Sequence, residues 1–220
     1  MAANNKQFAI IGLGRFGMAL CSELVEQGAQ VLAIDIKEEL VEKVADMVNQ
    51  AVIADCTTED AIRELRLTDY DLVVVAIGDQ VNNSILATLL LKELGVAKVW
   101  VKANDKFHAR IIEKIGADKI ILPEREIGIR VARSMLDDRV FDFLDIGDDM
   151  ALTEWVIGAS NEGEQLGDLE LFHQETIKIL AVKQGATINS CPNPETILQQ
   201  GDIVILVGNK YELTAKLRSI

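Results

Sequence analysis

The sequence predicts a doubly wound α/β fold followed by a small α+β domain, on three observations. Short apolar runs, each suited to a buried strand, alternate with segments of helical spacing from Phe8 to Pro123. Between the first run and the first helical segment stands Gly12-Leu13-Gly14-Arg15-Phe16-Gly17, a G-x-G-x-x-G turn. The next apolar run closes on Asp35, at roughly the 20-residue separation expected of an acid that hydrogen-bonds ribose hydroxyls. Together these make the first domain Rossmann-like, with parallel strands in the order 3-2-1-4-5-6 and a ligand cleft at the carboxyl ends of strands one and four.

Phe8 to Ile11 is the first strand. Gly12 permits the tight turn, Gly14 lets backbone N–H groups approach a pyrophosphate, and Gly17 lets the helix over Met18 to Val25 pack close to the strand. The N-terminus of that helix offers unpaired donors and the positive end of its dipole to an anion. Val31 to Asp35 is the second strand, and the segment from Lys37 to Ala45 has one apolar stripe, as a helix covering a sheet should. Ala51 to Ala54 is the third strand, followed by Asp55, with Thr57 or Thr58 capping a helix through Ala61, Ile62 and Leu65. Asp71 to Gly78 is β-branched and apolar on both faces, so it reads as a central parallel strand.

Asn82 or Asn83 opens a helix through Ile85, Leu86, Leu89, Leu90 and Leu94, stopped by Gly95. Val99 to Lys102, a helix from Phe107 to Ile115 ended by Gly116, and Lys119 to Leu122 complete the six-stranded unit. A further helix over 124–136 carries Ile127, Val131, Met135 and Leu136 as an apolar stripe with nothing left in the unit to cover. It either caps its own subunit or crosses to another. Polar breaks at 137–139 and 145–149 flank the apolar segment 140–144. The domains are therefore placed at 1–139 and 146–220, joined by a connection over 140–145. In the second, 152–157, 177–182 and 203–208 read as strands, and 166–172 and 194–198 as short helices. About 70 residues make a small core that wants a partner surface.

Composition narrows the function. Net charge is −13 over 220 residues, which excludes a phosphate-backbone partner, because a nucleic-acid binder needs a basic face. It also argues against adhesion to an anionic membrane surface. No apolar stretch reaches the roughly 18 residues a membrane helix needs, and the first residues lack the apolar core of a signal peptide. The expected location is cytosolic. Three cysteines without a C-x-x-C pair support neither a disulfide framework nor a zinc site.

Catalytic equipment is missing where binding is plain. Neither the two histidines, His108 and His173, nor any nucleophile or metal motif supplies a constellation for chemistry. A nucleotide site without such groups suggests a sensor, in which ligand shifts a conformational equilibrium, and not an enzyme. The alternative is a small NAD(H)-binding oxidoreductase or redox sensor, which needs a nicotinamide facing a proton donor.

The motifs Ile11 to Gly17, Val73 to Gly78, Val101-Lys102-Ala103 and Lys114 to Arg125, with its Ile-Gly-Ala-Asp and Pro-Glu-Arg segments, resemble the cytosolic regulatory (RCK/KTN) subunits of Ktr-type bacterial potassium uptake systems. The resemblance covers essentially the whole chain and is dense to about Arg139. It implies homodimers assembling into a homo-octameric ring beneath an integral membrane subunit that conducts potassium, with the chain itself cytoplasmic and peripheral to the inner face of the cell membrane. The ring changes shape between ATP and ADP, and NAD(H) occupies the same cleft in relatives. The helix over 124–136 would be the crossover between neighbouring subunits.

Residue roles follow from the same resemblance. Gly12, Gly14, Phe16 and Gly17 form the phosphate turn, and Arg15 reaches a terminal phosphate of its own or a neighbouring subunit. Asp35, with Ile36 beside it, binds ribose. Asp55 and Cys56 border adenine, and Ala76, Ile77 and Gly78 form the far wall. Lys102 approaches phosphates. Glu124 helps to hold a cation near the γ-phosphate, and carboxylate with phosphate oxygens is what Mg²⁺ prefers. In the second domain, several such relatives bind cyclic di-AMP through an arginine and a following aromatic-glycine pair. Here Phe172 stands where the arginine would, and neither glycine is present, so the phosphate anchor is lost and cyclic di-AMP is not expected.

Overall fold

The computed structural model describes residues 6–136, 140–174 and 176–217. Two compact units divide the chain, Met1–Glu124 and Arg125–Ile220. The first is built from β1 (Gln7–Ile11), α1 (Arg15–Glu26), β2 (Gln30–Asp35), α2 (Glu38–Ala45), β3 (Gln50–Ile53), α3 (Glu59–Glu64), β4 (Leu72–Val75), α4 (Val81–Glu93), β5 (Val99–Lys102), α5 (Lys106–Ile115) and β6 (Lys119–Ile121). Its strands form a parallel sheet in the order β3-β2-β1-β4-β5-β6, the order the sequence predicts.

The period of two in each strand sends alternate residues to opposite faces. Ala9, Ile11, Val73, Val75, Val99 and Val101 pack against α4 and α5 through Ala87, Leu91 and Ile112. Ile10, Val31, Ala33 and Val74 pack against α1 and α2 through Cys21, Val41 and Val44. All four residues of β4 are buried, as a central strand covered on both sides requires. The strand order reverses between β2 and β4 on either side of β1, and there the sheet opens at its carboxyl edge.

Two helix starts differ from the sequence reading, and a third agrees with it. α1 begins at Arg15, directly after an N-cap at Gly14 that has no side chain to announce it. α4 begins at Val81 behind Gln80, which leaves Asn82 and Asn83 inside its first turn. Of the two threonines considered for α3, Thr58 is the cap, and its side chain accepts from the Ala61 N–H.

Asp118 ties the lower edge of the sheet, accepting from the Val99 N–H at 2.7 Å and from Lys92 Nζ at 2.9 Å. Burial raises its pKa, but the Val99 amide and the Lys92 ammonium outweigh this and hold it below the ordinary value. A depressed carboxyl pKa means stability that is present above the unfolded-state value and lost as pH falls through the folded one. Asp118→Asn is expected to cost about 1 kcal/mol at pH 7 and to flatten the acid limb of a urea-unfolding series run from neutral to acid pH. An unchanged acid limb would refute this.

α6 (Pro123–Leu136) begins in the first unit and continues into the second. Ile127, Val131 and Met135 on it are exposed. The second unit holds an antiparallel sheet in the order β10-β9-β11-β8-β7, formed by β7 (Val140–Gly147), β8 (Met150–Val156), β9 (Ile177–Gln184), β10 (Thr187–Asn189) and β11 (Ile203–Asn209). α7 (Lys210–Leu217) places Leu213 and Leu217 in a core with Trp155, Leu171, Val204 and Leu206. β7, β10 and α7 were not read from the sequence, and the stretch 140–145, expected as a connection between domains, is part of β7 and pairs with β8 inside the second unit.

The short helix expected at 194–198 is absent. Its backbone is committed to pairing with the segment before Leu169: Leu166 N–H donates to Thr196 O and Gly167 N–H to Pro194 O, both at 2.8 Å, and Leu198 N–H donates to Glu164 O at 2.9 Å. Groups already used in that way are not free for helical bonds. The polar break at 137–139 lies outside the described residues.

Candidate nucleotide-binding site

At the carboxyl edge of the parallel sheet, the ends of β1, β2, β3 and β4 surround a cleft of about 150 Å³. Of the glycine turn, Gly12 lines this cleft, and Gly14 and Gly17 do not. Gly12 has φ +96°, a conformation open to glycine and strained for other residues, and a Cβ there would stand 2.9 Å from the Ala76 backbone. A Cβ on Gly17 would stand 1.9 Å from the Gly12 carbonyl oxygen. These two glycines are explained by the chain's own packing.

Gly14 is not. Its φ of −68° is open to any residue, and a Cβ there would meet nothing within 4 Å. The space over it is free for something outside the chain. Behind it, α1 starts with no side-chain cap, so first-turn N–H groups point outward at the positive end of the helix dipole. Free space beside uncapped donors suits the phosphates of a nucleotide, and the residues present fit that group.

Asp35 does more than stand at the ribose position. Its Oδ2 accepts from the Leu13 N–H at 2.7 Å and its Oδ1 from the Lys37 N–H at 2.9 Å, so the acid of β2 also braces the glycine turn. Carboxylate oxygens accept more than one bond, and ribose hydroxyls have acceptors left. Gly12, Asp35, Ile36, Asp55, Cys56, Ala76, Ile77 and Gly78 all line the cleft. Asp55 Oδ1 accepts from both the N–H and the hydroxyl of Thr57. Cys56 is buried beside it, and burial with the Asp55 charge pushes the thiol up to about 12, so it stays protonated and unreactive at neutral pH.

Arg15, Phe16, Lys102 and Glu124 do not line that cleft; they gather beyond its Gly78 end. Lys102 Nζ forms an ion pair with Glu124 at 2.7 Å, lies 6.0 Å from the Phe16 ring centroid, and stands 3.7 Å from where a Gly78 Cβ would be. The hydrogen bond from Lys102 lowers the Glu124 pKa, burial opposes it, and the charges of Lys102 and Arg15 add to the lowering. Arg15 is the exposed first residue of α1. Among the described residues no cluster of three His, Cys, Asp or Glu side chains is placed to hold a metal. A cation at Glu124 would draw its other ligands from the nucleotide.

Sequence reasoning missed Lys37, Leu40, Thr57, Gln80 and Asn83 in the cleft wall. Each follows the end of a strand, where ligands of such sheets bind, but none carries a residue-type signal.

Residues 8–123 match the family model of the TrkA-N domain. The chain is 52% identical over 220 residues to Ktr system potassium uptake protein A of Vibrio alginolyticus, covering all of both chains. It is 40% identical to the protein of that name from Bacillus subtilis (strain 168), over 95% of this chain and 94% of the other. Among solved structures it resembles the GsuK channel bound to NAD, with TM-score 0.54 and 21% identity over 98% of this chain. It also resembles GsuK bound to ADP, with TM-score 0.51 and 20% identity over 62% of this chain. The chain spans 39% and 35% of those two channel chains, and at such identity the likeness shows the fold.

Proposed function

The chain belongs to the family of Ktr system potassium uptake proteins and carries a TrkA-N domain, and on that premise we propose that it is a nucleotide-sensing gating subunit without catalytic activity. The observation that carries this reading is the Lys102–Glu124 ion pair, 2.7 Å long, set beyond the Gly78 end of a cleft whose turn suits phosphates. The ammonium has donors for two anions but a single positive charge to share between them. A γ-phosphate arriving there competes with Glu124 for Lys102, and Glu124 sits in the first turn of α6. ATP and ADP differ by that phosphate alone, so only groups that reach it make the two states differ in energy. Arg15, Lys102 and Glu124 are those groups, and Glu124 would hold a Mg²⁺ that accompanies ATP, whose charge would offset that of the phosphates.

The GsuK structures of like fold carry NAD and ADP, which supports ADP and NAD(H) as occupants of this cleft, and ATP is the further occupant this reading requires. Asp35, with Ile36 beside it, binds the ribose, and Asp55 and Cys56 border the base. The exposed Ile127, Val131 and Met135 on α6 suit burial against a second copy, and the dimer repeats into an octameric ring. No helix among the described residues is long and apolar enough to cross a membrane; the potassium path is supplied by a separate membrane subunit, beneath whose cytoplasmic side the ring docks. The groups near the cleft offer little chemistry. Cys56 stays protonated, and burial lowers the His108 pKa against the opposing charge of Asp105, which keeps it neutral at pH 7.

Titration calorimetry with ADP and with ATP tests the reading, paired with potassium uptake by vesicles holding the membrane subunit. Arg15→Ala is expected to bind ADP within about twofold of wild type and to lose about tenfold in ATP affinity, the size of one charge-assisted contact. Lys102→Gln is expected to narrow the ATP/ADP ratio similarly and to blunt the ATP response of uptake. Retention of both affinities in both variants would count against this assignment. Oxidation of NADH with candidate substrates, followed by absorbance, would favour an oxidoreductase instead.

A further inference from the structure

Between β5 and α5 the chain turns through Ala103, Asn104 and Asp105. Lys102, immediately before the turn, carries the ion pair with Glu124. Within it, the Asn104 carboxamide donates to the Gly78 carbonyl in the far wall of the cleft. The Asn104 backbone N–H donates to His108 Nδ1 at 3.3 Å. Asp105 caps α5, accepting from the Phe107 and His108 N–H groups at 2.8 Å.

His108 is 2% exposed. Because Nδ1 accepts, the ring is neutral with its proton on Nε2, and Nε2 has no partner among the described residues. A buried polar side chain of this kind is retained at a cost, and what it does here is hold the turn. Gly78 needs such a hold. β4 ends at Val75, Ala76 still bonds to Ile11 at 2.7 Å, and Gly78 lies beyond the sheet with no side chain to anchor it.

We propose that Asn104 and His108 are positioning residues of the nucleotide cleft: His108 fixes the β5–α5 turn, and Asn104 fixes Gly78 to it. The wall at Ile77–Gly78 and the ammonium of Lys102 then move as one body. Nucleotide that presses on the wall is thereby coupled to the Lys102–Glu124 ion pair, through a segment that need not touch the nucleotide itself. This rests on the nucleotide-sensing reading and names how that site transmits occupancy.

Asn104 is exposed, so Asn104→Ala removes the clamp without opening the core. Its melting temperature without nucleotide is expected to stay near wild type, while ADP affinity by calorimetry falls about tenfold, the size of one good hydrogen bond. His108→Leu fills the same space without an acceptor and should weaken ADP in the same direction. His108→Asn returns an oxygen near the place of Nδ1 and should recover most of the affinity, a rescue that a space-filling role would not give. Wild-type ADP affinity in Asn104→Ala overturns the brace alone, even if the His108 variants fail to fold. So does His108→Asn binding as weakly as His108→Leu. Failure of the wild-type chain to bind ADP, ATP or NADH overturns the nucleotide reading and the brace together.

Discussion

Gly17→Ala is expected to destabilise the first unit by about 3 kcal/mol or more, and to abolish nucleotide binding with it. Two effects of opposite sign compete at this position. Alanine is the better helix former inside α1, by about 1 kcal/mol. Against that gain, the added Cβ would stand 1.9 Å from the Gly12 carbonyl oxygen, with the Gly12 carbonyl carbon at 3.1 Å. The obstructing atoms are backbone, so no flexible side chain can swing aside. Either α1 lifts away from β1, or Gly12 abandons the turn that its N–H bond to Ile34 O at 2.8 Å helps to hold. A close-packed interior transmits such a shift instead of absorbing it. Urea unfolding of the variant should show a much lower midpoint. A midpoint equal to or above that of wild type would mean that helix propensity wins, and that close approach is not why glycine stands there.

How far the molecule was legible in its sequence depends on where each determinant lies along the chain. The parallel sheet was readable because Leu72 to Val75 and its neighbours bury both faces, a need that only β-branched and apolar runs meet. The cleft followed from the same logic, since the glycine turn and Asp35 close successive strands. Helix starts were less legible. The onset of α1 hides behind Gly14, a cap without a side chain, and that of α4 behind Gln80. In the second unit, residues 164–167 claim the backbone of 194–198 across 27 to 34 positions, which no local pattern announces.

The site divides in the same way. An acid at the end of β2 is a local signal, so Asp35 stood out as a ribose ligand. Its bond to the Leu13 N–H reaches back across a helix, and only the fold reveals it. The pairing of Lys102 with Glu124 likewise spans α5 and β6. Each charge was visible as a phosphate-site candidate, but nothing in either segment said that the two hold each other.

Gly14→Ser should separate stability from binding, moving them in opposite directions. Serine is among the preferred N-cap residues, and at Gly14 the backbone is already extended, with φ −68° and ψ −174°, as a cap requires. No protein atom lies within 4 Å of the new Cβ. The variant is therefore expected to be as stable as wild type, or more stable by a few tenths of a kcal/mol. The same hydroxyl would accept from a first-turn N–H of α1 and so occupy a donor that the phosphates need, while its bulk fills the approach to the others. Together these should weaken ADP about 100-fold, or about 2.7 kcal/mol. The contrast with Gly17 is the point of the pair: there a Cβ injures the protein, and here it injures only what the protein is built to hold. Calorimetric titration beside urea unfolding reads both quantities on one preparation. Undiminished ADP affinity in Gly14→Ser would move the phosphates away from the α1 N-terminus, and with them the role given to Arg15, Lys102 and Glu124.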